Sequence, residues 1–291
     1  MGVGRRTMVG VNGPTLVILA AGRARRFGGL KQLAPVGAHG EAVIDLIGSD
    51  AYAAGFTKVI VVVNRDSGPT IEEHIASHWP TTCSVAFAIQ ERPLGTVHAV
   101  LAAKDLVDPE GPFAVANADD LYGRDAMMSL GEHLAREATN CLVGFRLDRA
   151  LVGEQAVTRG VCKVREGELV TITERRQVRL TPSGFIADDG LQPRSLEPDI
   201  RVSMNLWGFQ PSMWEFFDKA MAEATNASED AEVLLPDVVG RVLRDGAADF
   251  RVLEVNSRCV GVTHADDLPI VQSDVADQIS RGERPERAFT D

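Results

Sequence analysis

The chain has 291 residues, 45% of them apolar and 24% charged, and its 30 Lys and Arg against 41 Asp and Glu give a formal net charge of −11. This length buries a sizeable core as one large domain or two small ones, and the distributed hydrophobicity excludes intrinsic disorder. The acidic balance excludes broad electrostatic binding to nucleic acid or anionic lipid, so an anionic ligand must meet a local basic exception.

Residues 1–13, rich in Gly, Arg and Asn, read as a flexible leader before a single folded unit over 14–291. Residues 15–20 form a continuous apolar run suited to a strand buried on both faces. Val43, Leu46, Ile47, Ala51 and Ala54 then recur at helical spacing until Gly55 stops them. A second apolar strand follows at 58–63, then a helix near 69–78, a strand near 83–89, a helix over 94–106 and a strand over 112–117. That order predicts an α/β fold, with a Rossmann-like, mostly parallel sheet and helices on both faces. In such sheets ligands sit beyond the carboxyl ends of the strands. From Val157 the pattern changes to strands at 157–164 and 169–174 around Glu166 and Gly167, a hairpin signature. Residues 181–199, with Pro182, Gly184, Gly190, Pro193 and Pro198, predict a long mobile excursion. A strand at 202–210, helices near 212–224 and 231–245, strands at 250–255 and 259–262 and a last helix from Asp266 complete the alternation.

No apolar stretch approaches the roughly 18 residues of a membrane helix, and residues 16–21 are too short for a signal-peptide core, so a cytoplasmic protein is expected. Cys83, Cys141, Cys162 and Cys259 form no C-x-x-C pair and read as reduced, mostly core thiols. His98, on a helix, reads as packed and not catalytic.

Three segments carry chemistry. The first is LAAGRARRFGGLKQL at 19–33, where Gly22, Gly28 and Gly29 lie among Arg23, Arg25, Arg26 and Lys31 in an otherwise acidic chain. A loop folded over phosphates needs this combination: glycines let backbone N–H groups approach the oxygens, and cations offset the charge of a triphosphate. The second is QERPLGT at 90–96, in which the Gln90 amide can donate and accept together, as reading a base edge requires, and Gly95 allows a flat ring to come close. The third is AVANADDLYG at 114–123. A carboxylate directly after a buried strand is costly unless it is paired or bound to a cation, and Mg²⁺ takes one or two carboxylates plus phosphate oxygens, which makes Asp119 a candidate ligand. Asp120 reads equally as a cap or turn residue.

Together these segments resemble the sugar-1-phosphate nucleotidyltransferase (NTP-transferase) family, with its cytidylyltransferase and molybdenum-cofactor relatives, whose signature runs L-A-A-G-x-G-x-R-x-G-x-x-K-x-L. Leu19, Ala20, Ala21, Gly22, Arg26, Gly28, Lys31 and Leu33 fit in register, while Ala24 stands where the family usually has Gly. The resemblance implies that Arg26 and Lys31 are the catalytic cations on the triphosphate and the leaving pyrophosphate. It places Ala20, Ala21, Gly22, Gln90, Gly95 and Thr96 on the nucleotide and Asp119 on Mg²⁺, with Ala118 replacing the family's Gly. The segment EVLLPD at 232–237 is similar to the one that completes the magnesium site, which makes Asp237 the second ligand; beside Pro236 it equally suits a helix cap.

The pair GVCKV at 160–164 and ITERR at 172–176 is similar to the family's Y-G-V … E-K-P arrangement. By that likeness Gly160 and Glu174 contact sugar hydroxyls, and Arg175, an Arg for the usual Lys and without the following Pro, holds the sugar phosphate. A solvated hairpin carries Glu and Arg as well. Asn205 in SMNLWGF, similar to N-x-G-x-Y, is a third acceptor contact. The resemblance thus implies a nucleotide-binding half at about 14–150, an acceptor-binding half with a β-rich acceptor-binding lid at about 151–265, and a C-terminal helix at about 266–282. The implied reaction is Mg²⁺-dependent transfer of a nucleotidyl group from a nucleoside triphosphate to a sugar 1-phosphate or sugar-like phosphate, releasing pyrophosphate. The implied partners are those two small molecules, with no nucleic acid and no membrane, and a homo-oligomer is compatible with them. Cytidylyl or guanylyl transfer to an alditol phosphate, choline phosphate or molybdopterin is the alternative, as is a non-catalytic nucleotide sensor.

Overall fold

The computed structural model describes residues 13–22, 29–151, 155–262 and 265–290. Strands β1 (Thr15–Leu19) and β2 (Lys58–Val63) run parallel, Val17 opposite Ile60, joined through helix α1 (Val43–Ala53). Helix α2 (Gly68–His78), with Pro69 preset in its first turn, leads to β3 (Val85–Ile89), parallel to β2. Helix α3 (Gly95–Ala102) then feeds β4 (Phe113–Asn117), which docks parallel on the other side of β1 with Val115 opposite Val17. The apolar runs dictate this arrangement, because a central parallel strand is buried on both faces and alternate side chains divide between two cores. Leu16 and Ile18 pack with Ile44, Ile47 and Ile71 on one face, while Val17 packs with Val97, Val100 and Phe217 on the other.

After β4 come a two-residue strand β5 (Asp120–Leu121), helix α4 (Arg124–Arg136) and strand β6 (Asn140–Arg146). The hairpin β7 (Val157–Arg165) and β8 (Glu168–Thr181) follows, extended antiparallel by β9 (Gly184–Ala187) and β10 (Ser195–Leu196). Strand β11 (Arg201–Phe209) returns to the centre, antiparallel to both β4 and β6. Helices α5 (Met213–Ala227) and α6 (Leu235–Arg244), strand β12 (Phe250–Glu254) parallel to β6, strand β13 (Val260–Gly261) paired with β5, and helix α7 (Leu268–Ser280) end the fold. The main sheet runs β10-β9-β8-β12-β6-β11-β4-β1-β2-β3, with β7 bridging β11 and β8.

The α/β class with a β-rich second half agrees with the sequence reading, and the structure corrects that reading in three places. The sheet is mixed, not mostly parallel: β11 lies antiparallel to β4 and β6 at its centre, and the hairpin strands β7 to β10 pair antiparallel beside it. Residues 181–199 are not a mobile excursion, since β9 pairs onto the far end of a fourteen-residue β8 and β10 pairs onto β9. Between 124 and 150, where no element is predicted, α4 and β6 form, and β6 sits in mid-sheet between β11 and β12.

Candidate functional site

The loops beyond β1, β2, β3 and β4 meet at one end of the parallel strands. The backbone after β1 is held from two sides: the Gln32 amide donates to the Ala20 carbonyl at 3.2 Å, and the Asn64 amide donates to the Ala21 carbonyl at 2.9 Å. Asn64 in turn accepts the N–H groups of Asp66 and Ser67, so one side chain couples the loops after β1 and β2. Ala20 and Ala21 are buried and Gly22 is exposed; Arg26 lies outside the described residues. Lys31 opens a short 3-10 turn, and its ammonium donates to the Asp119 carboxylate, forming an ion pair between the loops after β1 and β4.

In the second segment Gln90 donates to the Gly95 carbonyl at 3.1 Å, so its amide braces the turn that contains it. Gly95 has φ +91°, and a Cβ there would meet the Val233 carbonyl oxygen at 2.3 Å. The close approach that demands glycine is therefore the crossing of the chain at Val233, whose N–H also bonds the Leu94 carbonyl. The Thr96 hydroxyl accepts the Leu235 N–H at 2.8 Å, satisfying a free donor at the start of α6. His98 is packed, and burial, with the Arg92 charge, lowers its pKa.

Asp119 and Asp120 are fixed by the strand pair β5 and β13. The Val262 N–H bonds the Asp119 carbonyl at 2.9 Å, and a Cβ on Gly261 would stand 2.3 Å from Asp120 Oδ1, so a side chain there would displace the Asp120 carboxylate. The Asn117 amide donates to Asp120 at 2.8 Å. Burial and the adjacent Asp119 charge nevertheless push the Asp120 carboxyl up to about 6. Tyr122 pins the segment to β11: its hydroxyl accepts the Asn117 N–H at 2.8 Å and donates to the Met204 carbonyl at 3.2 Å.

These carboxylates open into a cleft of about 790 Å³ between the strand ends and the β-rich half. Thr96 and Asp119 line it from one side, and Gly160, Glu174 and Asn205 line it from the other. Two side chains reach it from strained backbone: Gln177 (φ 53°) at a bulge in β8 and Asn205 (φ 59°) where β11 shifts register against β6. Asn205 also accepts the Trp207 indole N–H at 3.2 Å.

Arg175, expected on the acceptor phosphate, is elsewhere engaged. It is buried, forms a two-pronged ion pair with Asp189 at 2.7 and 3.0 Å, and donates to the Leu191 and Pro193 carbonyls. Its Nε and one terminal nitrogen are taken up by these acceptors and its charge is met by the Asp189 carboxylate, so neither two-pronged edge of the guanidinium is left for a ligand, and Arg175 does not line the cleft. Directly opposite it on β7, Arg159 does line the cleft, a cation that the sequence motifs do not single out. Its place beside the matched Gly160 was the available signal.

Asp237, expected as a metal ligand, lies in the first turn of α6, where a negative charge suits the helix dipole. Desolvation and the nearby Glu174 raise its carboxyl. The cleft is lined by its neighbours Leu234 and Pro236 and by Asp120, Asp266 and Asp267, but not by Asp237 itself. Among the described residues no three His, Cys, Asp or Glu side chains converge as a metal site, and no helix is long and apolar enough to cross a membrane.

Comparison with known proteins points the same way. The sequence profile of the family described as nucleotidyl transferase matches residues 15–174. The bifunctional protein GlmU of Caulobacter vibrioides is 32% identical over 184 residues, 60% of this chain and 37% of that one. The glucose-1-phosphate adenylyltransferase of Streptomyces avermitilis is 28% identical over 158 residues, 49% of this chain and 36% of that one. The chain thus spans little more than a third of the length of these two relatives. Among solved structures, UDP-glucose pyrophosphorylase superposes with a TM-score of 0.64 over 91% of this chain and 99% of its own, at 15% identity, a likeness of fold alone.

Proposed function

The chain belongs to the nucleotidyl transferase family, and on that premise we propose that it transfers a nucleotidyl group from a nucleoside triphosphate to a sugar 1-phosphate, giving a nucleotide-activated sugar and pyrophosphate. The observation that carries this reading is the ion pair of Lys31 and Asp119, which joins the glycine-bearing basic loop to a strand-end carboxylate at the mouth of a cleft whose other wall holds Gly160, Glu174 and Asn205. A relative named for adenylyl transfer to glucose 1-phosphate supports a sugar phosphate as acceptor.

The acceptor phosphate already bears a nucleophilic oxygen, so no activating base is required. The work is to hold two polyanions in line and to neutralise the charge that develops on pyrophosphate. Lys31, released from Asp119, would follow that charge onto the leaving group. Arg26, on the same loop, would share the task. Thr96 and the backbone at Ala20, Ala21 and Gly22 would flank the nucleotide, with Gln90 and Gly95 shaping the turn beside it. Gly160, Glu174 and Asn205 would orient the sugar.

The residues at the strand end fit Mg²⁺. Asp119 and Asp120 are adjacent, burial and the Asp119 charge raise the Asp120 carboxyl, and a divalent cation beside the pair would favour its charged form. Two carboxylates also suffice for an ion that draws its other ligands from phosphates and water. Asp119 and Asp120 would hold the ion, with Asp237 as the further ligand suggested by family likeness. Bound there, it would supply charge neutralisation for the phosphate oxygens.

The test is to incubate the protein with each nucleoside triphosphate, Mg²⁺ and a panel of sugar 1-phosphates, reading pyrophosphate release. Release with a defined pair is the expected result. Nucleotide binding with no release from any pair, alditol phosphate and choline phosphate included, would replace the transferase reading with a sensor.

A further inference from the structure

We propose that Arg159 is the residue that receives the phosphate of the acceptor. The inference rests on the transferase reading above and names the anion-holding group that reading lacks once Arg175 is committed to Asp189. Arg159 is half-buried on β7, in register with Arg175, and lines the cleft next to Gly160. Its Nε and one terminal nitrogen donate to the Ala150 carbonyl at 3.2 and 2.9 Å, and the other terminal nitrogen donates to the Thr158 carbonyl at 2.9 Å. Three of its five N–H groups are thereby used, and one remains on each terminal nitrogen.

The kind of partner matters as much as the number. Carbonyl oxygens fix the guanidinium plane but leave its charge uncompensated, and among the described residues no carboxylate stands within ion-pair distance of Arg159. Burial lowers its pKa, and the more distant Asp120 works against that. A positioned, partly desolvated guanidinium with a free N–H on each tine matches two oxygens of a phosphate monoester. The place is also right. Arg159 lies electrostatically within reach of Asp120 at the strand end and shares the cleft wall with Glu174 and Asn205. A phosphate held there would have its sugar toward Glu174 and Asn205 and its attacking oxygen toward the nucleotide loops.

The experiment compares the unaltered chain with Arg159→Gln and Arg159→Lys, after thermal unfolding has confirmed that each variant is folded. Arg159→Lys keeps the charge and loses the fork, so it serves if loss of the Ala150 contact unfolds the Gln variant. Steady-state pyrophosphate release should show the acceptor KM rising about 10- to 100-fold in Arg159→Gln, the scale of a charge-assisted hydrogen bond, and less in Arg159→Lys, with the nucleoside triphosphate KM within about twofold. Calorimetric titration with the same sugar 1-phosphates and with inorganic phosphate gives a readout independent of turnover, and the unaltered chain should bind them more tightly than either variant. If the unaltered chain binds these ligands and the variants lose that binding, but no pair yields pyrophosphate, Arg159 keeps its role and the transfer reading falls. An unchanged acceptor KM or affinity in a folded variant, acceptor and nucleotide KM values rising together, or no binding by the unaltered chain would overturn the inference.

Discussion

The parallel strand ends and the β-rich lid each hold a cation on an aspartate, and the two pairs serve opposite ends. Lys31 and Asp119 are 25% and 21% exposed and meet at the mouth of the cleft, whereas Arg175 and Asp189 are 4% and 5% exposed. Asp189 is further bound by the N–H groups of Arg176 at 2.9 Å and Leu191 at 3.0 Å, and Arg175 by two carbonyls. A buried pair in which the cation and the carboxylate are each also held by backbone groups fixes structure. A pair that keeps donors and acceptors in reach of solvent can exchange its partner for a ligand at little cost. Charge and residue type are nearly the same in both, so satisfaction and burial separate the roles.

The largest effect should come from the cleft pair and should fall on rate. Lys31→Ala is expected to lower turnover by about 10²-fold or more, the scale of removing one preorganised charge-stabilising group. Its unfolding free energy should change by no more than about 1 kcal/mol, because a part-exposed pair contributes little to stability. Pyrophosphate release and thermal unfolding of the same sample would check both halves. A variant that loses stability but not rate would reverse the comparison.

For the lid pair the order is inverted. Arg175→Leu leaves the Asp189 carboxylate without its cation, a class of change that is strongly destabilising, so the thermal midpoint should fall by several degrees and by more than in Lys31→Ala. A midpoint equal to that of the unaltered chain would show that the lid does not depend on this clamp.

Acid should expose the same clamp more gently. The hydrogen bond from Arg175, with those from Arg176 and Leu191, holds the Asp189 carboxyl well below the usual carboxylate range despite partial desolvation. A carboxyl with a depressed folded-state pKa contributes stability that is whole above its unfolded value, about 3.9, and is lost as pH falls toward the folded value. Thermal midpoints measured downward from about pH 5 should therefore fall less steeply in Asp189→Asn than in the unaltered chain. Parallel slopes would mean that Asp189 titrates as it does in the unfolded chain.

The two regions also differ in how far their sequence discloses them. In the first, Leu16, Val17 and Ile18 of β1 and Val59 to Val63 of β2 are buried on both faces, so an unbroken apolar run announces a strand, and glycines with cations behind it announce the loop. Strand β6 is interrupted by Gly144 and ends in Arg146, which obscures a run that is just as buried. In the lid, the charged string from Glu174 to Arg179 reads as a solvated face. Only the fold shows that Arg175 turns inward, because Asp189 lies fourteen residues on, in a stretch rich in proline and glycine that reads as irregular. Gly95 is a different case: its position was legible and the cause was not, since nothing local to QERPLGT shows that the backbone at Val233 crosses there. Likewise Asp266 and Asp267 reach the cleft because β13 pairs with β5, a contact between segments more than 130 residues apart.

The smallest effect supplies the floor of the scale. Arg176, next to Arg175 on β8, is 72% exposed and donates to Glu174, 37% exposed, at 3.0 Å. The chemistry is again guanidinium on carboxylate, one residue along the same strand, but with solvent free to replace either partner. Such a pair pays side-chain entropy for a Coulomb term that water and salt screen, and most are worth about 0–1 kcal/mol. Arg176→Ala should therefore shift the thermal midpoint by no more than about 2 °C, with the difference shrinking further in high salt. A fall matching that of Arg175→Leu would mean that adjacency on β8, not burial with backbone hydrogen bonds to both partners, sets what an ion pair contributes in this lid.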